Sequence, residues 1–160
     1  MKLNLMIFTL FGISVLTLVS IYSCTNSSTA SEQIFTETSP GVFEFKNQNY
    51  SKGIGPVKEI KLDPVDAVLA EKGKGIFETK CVACHKFDMK LIGPPLKGIT
   101  SRRTPEWTMN MMLNPVEMTQ TDTIAKSVFE VLKVQMVTQD LNQEDVRSVF
   151  EYLRQMDGVK

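Results

Sequence analysis

Apolar residues recur at helical spacing in four segments of the C-terminal part of the chain. Residues typical of helix starts or ends bound these segments: Asp63-Pro64 or Asp66 to Cys81, Thr104-Pro105 to Asn114-Pro115, about Asp122 to Lys133, and Asn142 onward. In the last segment, Val146, Val149 and Leu153 share one stripe, as in a helix that faces a core. No alternating pattern is sustained over residues 64–160. The pattern therefore predicts one all-α domain of about four helices.

The N-terminus carries a different signal. Lys2 precedes an apolar run from Leu5 to Tyr22, and the chain turns polar directly after Cys24. Residues 1–23 resemble a bacterial lipoprotein signal peptide, and Cys24 would then be the lipidated first residue. The alternative is an uncleaved helical anchor, because the run is just long enough to cross a bilayer. Either interpretation predicts that the rest of the chain is exported to the periplasmic side and tethered to the membrane.

Residues 24–63 show no sustained helical or alternating pattern, and glycine and proline interrupt each start. We interpret this segment as a flexible, irregular tether. A short apolar alternation in Val42, Phe43 and Phe45 would allow a strand-like patch within it. Such a tether would let the domain meet partners near the membrane.

The charge balance excludes some partners. The 160 residues contain 18 Lys and Arg and 18 Asp and Glu, for a formal net charge of zero. No overall field attracts nucleic acid, so we expect none as a partner. Partners must be recognised through local features.

The chemistry of the chain is concentrated in the run Cys81-Val82-Ala83-Cys84-His85. Two cysteines at this spacing can form thioethers to the two vinyl groups of one haem, and the adjacent histidine can ligate the iron. Export fits this chemistry, because covalent haem attachment occurs outside the bacterial cytoplasm. The motif predicts one covalent haem c, with Cys81 and Cys84 as attachment sites and His85 as a metal ligand.

Three other interpretations of this run were weighed. A zinc site needs four ligands, yet the chain has only one histidine, and its third cysteine is Cys24 in the signal region. A redox dithiol requires a βαβ context, which is missing. A chance match is disfavoured by the export signal and the helical context.

The region from Glu71 to Met156 resembles the class I cytochromes c, a family with a mono-haem, His/Met-ligated, all-helical fold. The run Glu71-Lys72-Gly73-Lys74-Gly75-Ile76-Phe77 is similar to the family's first helix. The resemblance implies that Gly73 allows this helix to cross the last one closely, beside Tyr152. It also implies that the Pro94 carbonyl, within Gly93-Pro94-Pro95-Leu96, accepts a hydrogen bond from His85.

The same resemblance assigns further haem contacts. Arg102 matches the position of an arginine near a haem propionate, and Arg103 and Trp107 are weaker candidates for that role. Trp107 is equally well explained as a core residue.

The second axial ligand must differ from histidine, because His85 is the single histidine. Methionine is the natural choice, and the nine methionines reduce to Met118 and Met136, both placed by the sequence in connecting segments. The family carries its ligand just before the last helix, which favours Met136. Val137 follows it where many relatives have proline, so Met118 stays an alternative.

These expectations describe an electron carrier rather than an enzyme. The resemblance implies single-electron transfer between respiratory redox partners outside the cytoplasm. A five-coordinate haem that binds small gases or acts on peroxide, and a fixed haem subunit of a larger membrane complex, remain alternatives. Residues 99–114 look like small lipoprotein cytochromes that accompany nitrous-oxide reductase.

A local charge imbalance predicts how partners dock. Between residues 80 and 103 the single acid is Asp88, and the cations are Lys80, Lys86, Lys90, Lys97, Arg102 and Arg103. The family places this stretch around the haem edge, so redox partners with acidic docking faces are expected.

Overall fold

The structure is a computed structural model, and it describes residues 35–39, 42–45 and 50–160. The predicted signal at 1–23, the lipidation candidate Cys24 and much of the predicted tether lie outside these residues. No helix within the described ranges is both long and apolar enough to span a bilayer.

Residues 67–156 fold as a set of helices, which confirms the all-α fold class. The helices are α1 (Ala67–Lys80), α2 (Ile99–Arg102), α3 (Pro105–Leu113), α4 (Pro115–Thr121), α5 (Thr123–Leu132) and α6 (Gln143–Met156). The four predicted helices correspond to α1, α3, α5 and α6. The short helices α2 and α4 were not predicted.

The helix α4 begins where the sequence predicted only an end. Asn114 closes α3, and its backbone N–H donates to the Asn110 carbonyl at 2.8 Å. Pro115 then opens α4, because its fixed φ suits the first position of a helix, where no N–H is needed. One Asn-Pro pair thus ends one helix and starts the next.

Side-chain caps fix the starts of the four predicted helices. Asp66 accepts from the Val68 and Leu69 amides, so α1 begins after Asp66 rather than at Asp63-Pro64. Thr104 and Asp122 cap α3 and α5 in the same way, and Asn142 forms a capping box with Asp145 on α6. Each cap satisfies amide groups that would otherwise lack partners, and is worth about 1 kcal/mol.

The helices α1 and α6 pack across each other and form the centre of the domain. Phe77 of α1 meets Tyr152 of α6 with ring centroids 5.4 Å apart. Phe150 and Val149 of α6 are fully buried in the main core cluster, beside Met109 of α3. A second cluster joins Trp107 to Met118, Ile124 and Ala125.

A buried ion pair joins α6 to the chain before α1. Glu151 is fully buried, and Arg154 donates to its carboxylate at 2.7 Å. The same guanidinium donates to the Asp63 carbonyl at 2.8 Å, and the Asp66 amide donates to Glu151 at 3.3 Å. The pair therefore satisfies its own charges and fixes where the chain enters α1.

The segment before α1 corrects the predicted extent of the tether. The Asn110 side chain bridges the Lys52 and Val57 backbones through hydrogen bonds of 2.9 to 3.0 Å. The Ile60 amide donates to Glu106 at 3.0 Å, and Val57 is buried in the core. Residues 51–60 therefore pack on α3, and an irregular pattern did not mean a free segment.

Two short strands also lie within the predicted tether. They are β1 (Phe35–Ser39) and β2 (Val42–Phe45), paired antiparallel with Phe35 opposite Phe45. The alternation at residues 42–45 does mark a strand, so the prediction of an irregular segment was wrong here.

Candidate haem site

A largely apolar cavity of about 380 Å³ opens between the helices. Side chains of α1, α3, α5 and α6 form its walls, together with the loops on either side of it. Cys81, Cys84 and His85 line one part, and Met136 lines another. The structure thus brings the predicted attachment motif and the favoured methionine to one cavity.

The attachment motif directly follows the end of α1. The Cys81 amide still donates to Phe77 at 2.9 Å, and the Cys84 and His85 amides both donate back to the Cys81 carbonyl. This tight turn places both sulfur atoms and the imidazole beside the same cavity. Burial, with a smaller contribution from Cys84, raises the pKa of the Cys81 thiol to about 11, so that thiol is neutral at pH 7.

The orientation of His85 is fixed from two sides. Its Nδ1 donates to the Pro94 carbonyl at 3.0 Å, as the resemblance implied for Pro94. Its ring packs against Gly93, where a Cβ atom would lie 2.8 Å from Nδ1. Because a carbonyl can only accept, the neutral ring carries its proton on Nδ1 and its lone pair on Nε2.

The protonation state also suits a metal ligand. Burial lowers the pKa of His85, and the bond to Pro94 opposes this only in part. The neutral imidazole is the form that binds metal ions.

The two candidate methionines lie in different environments. Met136 is half-buried and lines the cavity in the loop between α5 and α6. Met118 is fully buried on α4 rather than in a loop, and its sulfur accepts from the Ile54 amide at 2.9 Å. Met118 does not line the cavity, so this structure offers Met136 and not Met118 as a ligand.

Met111 and Met112 also line the cavity, from α3. Met112 is buried in the main core cluster, and Met111 packs against the second one. Both fit the packing role that flexible thioether side chains often have.

Arg102 and Arg103 place two cations at the cavity. Arg102 ends α2, and its guanidinium donates to the Lys97 and Pro95 carbonyls. Asp157 of α6 accepts from the Gly98 and Thr100 amides and so fixes the start of this short helix. The structure therefore holds Arg102 in place from both ends of α2.

Arg103 is the more deeply buried of the two. Its guanidinium lies over the Trp107 ring at 5.3 Å and donates to the Arg102 carbonyl at 2.8 Å. Burial, with the charge of Arg102, lowers the pKa of Arg103 to about 10. Both arginines remain charged at neutral pH, and a carboxylate in the cavity would compensate their burial.

Trp107 contributes its ring rather than its N–H. The indole Nε1 donates to Asp122 at 2.9 Å, and Asp122 also caps α5 and accepts from Ser51. The expectation that Trp107 donates to a propionate is therefore not supported. Trp107 is a core residue whose side chain forms part of the cavity wall.

Sequence reasoning missed two polar residues of the cavity, Thr119 and Gln135. Thr119 lies on α4, a helix that was not predicted. Gln135 directly precedes Met136, and a polar residue beside a candidate ligand in an apolar site was the one available signal.

The residues at the cavity fit a covalently bound haem. Two thiols and one imidazole come from one turn, a thioether comes from a separate loop, and two arginines suit propionates. The apolar walls suit the macrocycle itself. This combination defines a c-type haem protein.

Comparison with known proteins agrees with this class. The cytochrome c family model matches residues 70–157. The chain therefore belongs to the cytochrome c family, whose members are haem-based electron-transfer proteins. By this membership it carries one haem c, bound through Cys81 and Cys84.

Solved structures of one relative match over the same region. A cytochrome c from Rhodothermus marinus is 41% identical with a TM-score of 0.64, and the match covers 65% of this chain and 90% of that one. An engineered form of that protein, Rma TDE, is 40% identical with a TM-score of 0.63 and corresponding coverages of 65% and 91%. The engineered form bound to a carbene intermediate gives 41% identity, a TM-score of 0.61 and the same coverages. A search of curated proteins found no match.

Proposed function

We propose that this protein is a single-electron carrier with His85 and Met136 as the axial ligands of its haem. The observation that carries the proposal is the shared cavity, which His85 lines beside the attachment cysteines and Met136 lines from a separate loop. With both axial positions taken by protein groups, no position remains for a substrate. The protein then transfers electrons and is not an enzyme.

The chain's own residues support this role. Pro94 and Gly93 hold the imidazole in one orientation, and the apolar walls keep water from the iron site. Fixed ligands and a dry pocket reduce the rearrangement that accompanies a change of charge. A methionine ligand raises the reduction potential relative to a second histidine.

The mouth of the cavity suits electron exchange with a docked partner. Ile92, Val134 and Val137 line the cavity and are exposed, so one part of it reaches the surface. Exposed lysines follow the attachment motif at positions 86, 90 and 97. We infer that partners dock on this face, with acidic groups opposite the lysines and apolar contact at the mouth.

Absorption spectroscopy of the mature holoprotein tests the ligand set. A reduced-minus-oxidised spectrum of haem c, together with weak near-infrared absorption in the oxidised state, is expected for His/Met ligation. Binding of carbon monoxide to the reduced protein at once and in full, without near-infrared absorption in the oxidised state, would reject the proposal and indicate a five-coordinate haem.

The five-coordinate alternative has one specific observation in its favour. The engineered Rhodothermus marinus relative is described as bound to a carbene intermediate, so that protein's fold admits a reactive ligand at its haem. In this chain the equivalent chemistry, or binding of small gases and peroxide, requires that Met136 leaves the iron.

We further propose that the protein is exported and held at the membrane through a lipid on Cys24. The N-terminal sequence and the covalent haem support export. Cys24→Ala should release the cytochrome into the soluble periplasmic fraction. Retention of this variant in washed membranes would favour an uncleaved N-terminal helix instead.

A link to nitrous-oxide respiration is the narrowest part of the proposal, and it is supported by the likeness of residues 99–114 alone. Deletion of the gene should then slow nitrous-oxide reduction in whole cells, and unchanged rates would remove the link. If the protein is instead a fixed haem subunit, it should co-purify with a larger membrane complex after detergent extraction.

A further inference from the structure

The loop that carries Met136 joins α5 to α6 and has no regular secondary structure of its own. It begins at Lys133, whose φ of 54° is left-handed. A ligand on such a loop stays in place only if other contacts hold the loop. Hydrogen bonds therefore decide how firmly Met136 is positioned.

Gln135 makes those contacts, next to the methionine. Its Nε2 donates to the Pro115 carbonyl at 3.3 Å and to the Met136 carbonyl at 3.0 Å. Its Oε1 accepts from the Thr119 hydroxyl at 2.8 Å. Pro115 and Thr119 are both buried on α4, so one side chain ties the loop to a packed helix.

The orientation of this amide is determined by its partners. Two carbonyl oxygens face Nε2, and carbonyls can only accept hydrogen bonds. The reversed amide would set Oε1 against both carbonyls, which is repulsive. All three polar contacts are therefore satisfied in one arrangement only, and this arrangement fixes the backbone at Met136.

We propose that Gln135, with Thr119, is a positioning residue that keeps Met136 at the haem iron. The proposal rests on the proposed function, because it requires Met136 as the ligand. Gln135 acts through the Met136 backbone and through α4, and does not itself ligate. Its loss should let the loop open and the iron–sulfur bond break more often.

The other end of the loop is held more weakly. Lys80, which directly precedes Cys81, donates from Nζ to the Gln139 carbonyl at 2.9 Å. This bond is exposed, and a long lysine side chain loses much rotamer freedom in making it. The contact with α4 is thus the firmer of the two.

Binding of imidazole to the oxidised holoprotein tests the proposal, because imidazole can bind only when methionine leaves. Gln135→Leu keeps much of the side-chain volume and removes all three hydrogen bonds. We expect imidazole to bind about tenfold faster, since a net loss of about 1.4 kcal/mol corresponds to tenfold. The near-infrared absorption should weaken as well.

Thr119→Val is the second variant, because it keeps the shape of the side chain and removes only the hydroxyl. It should also speed imidazole binding, and the double variant should be little faster than Gln135→Leu alone if the two act as a unit. The control is Gln120→Leu, a glutamine that is exposed on the same helix, and it should bind imidazole at the rate of the parent protein.

Met136→Ala separates this proposal from the one on which it rests. If Met136→Ala keeps the near-infrared absorption, the ligand assignment fails and the positioning role falls with it. If Met136→Ala loses the absorption but Gln135→Leu binds imidazole at the parent rate, only the positioning role is overturned. A lower thermal midpoint of Gln135→Leu without faster binding would likewise overturn it, as the role would be purely structural.

Discussion

Gly73 on α1 and Ser148 on α6 meet backbone to backbone, with no room for a side chain between them. A Cβ atom on Gly73 would overlap the Ser148 carbonyl group and lie 2.8 Å from the Val149 nitrogen. The two helices can cross this closely only because residue 73 is glycine. This confirms the role that the resemblance implied for Gly73.

Gly73→Ala should therefore destabilise the holoprotein by about 2 kcal/mol or more, because backbone atoms of α6 must move to admit the methyl group. The measurement is guanidinium unfolding followed at the haem band. Gly75 offers a matched control two residues away, since nothing lies within 4 Å of its Cβ position.

Gly75→Ala should raise the free energy of unfolding by about 0.5 to 1 kcal/mol, because alanine is the better helix former. Equal effects of the two substitutions would show that helix propensity, and not the crossing with α6, explains glycine at residue 73.

A second glycine should affect ligation rather than packing. Gly93→Ala would place a methyl group 2.8 to 2.9 Å from the nitrogens of the His85 ring. We expect the ring to turn or the Pro94 bond to lengthen, with a lower reduction potential and a mixed-spin oxidised spectrum. A spectrum and a potential like those of the parent protein would show that the loop adapts without disturbing His85.

The helix starts illustrate what a sequence can predict. Thr104-Pro105 and Asn142 carry local signals, and the structure places helix starts there. The packing of residues 51–60 had no such signal, because Asn110 recognises backbone groups of that segment rather than its side chains. Backbone contacts of this kind leave no trace in the hydrophobic pattern.

The candidate site divides along the same line. Cys81, Cys84 and His85 are adjacent, so their spacing alone predicts their chemistry. Met118 and Met136 could not be separated from spacing, because the helix that buries Met118 starts at a proline that also reads as a terminator. The structure separates them by burial, which depends on the tertiary fold.

Substitution of the two methionines should therefore have opposite consequences. Met136→Ala should remove the near-infrared absorption of the oxidised protein and lower its reduction potential, with a modest effect on unfolding. Met118→Ala should keep both spectrum and potential but destabilise the fold by about 2 to 5 kcal/mol, as expected for a buried methionine that leaves a cavity. The two variants are compared by near-infrared spectroscopy, voltammetry and guanidinium unfolding. The reverse pattern would make Met118 the ligand.

The final prediction concerns docking on the lysine-bearing face. Lys86 and Lys97 are exposed on the loop that follows the attachment motif, whereas Lys80 is bonded to the Gln139 carbonyl. If Lys86 and Lys97 steer an acidic partner, the second-order rate of electron transfer should fall steeply with ionic strength, because salt at 0.1 to 0.15 M screens charges beyond about 8 to 10 Å.

Lys86→Glu and Lys97→Glu should each slow association with the partner at low salt, while the haem spectrum and the reduction potential stay nearly unchanged. The matched control is Lys126→Glu, which makes the same change of charge at an exposed position on α5 that does not line the cavity. Stopped-flow measurement of the rate against salt concentration compares the three variants. A rate that does not depend on salt, with all three variants alike, would reject steering by these lysines, and the exposed apolar residues Ile92, Val134 and Val137 at the cavity mouth would then account for docking.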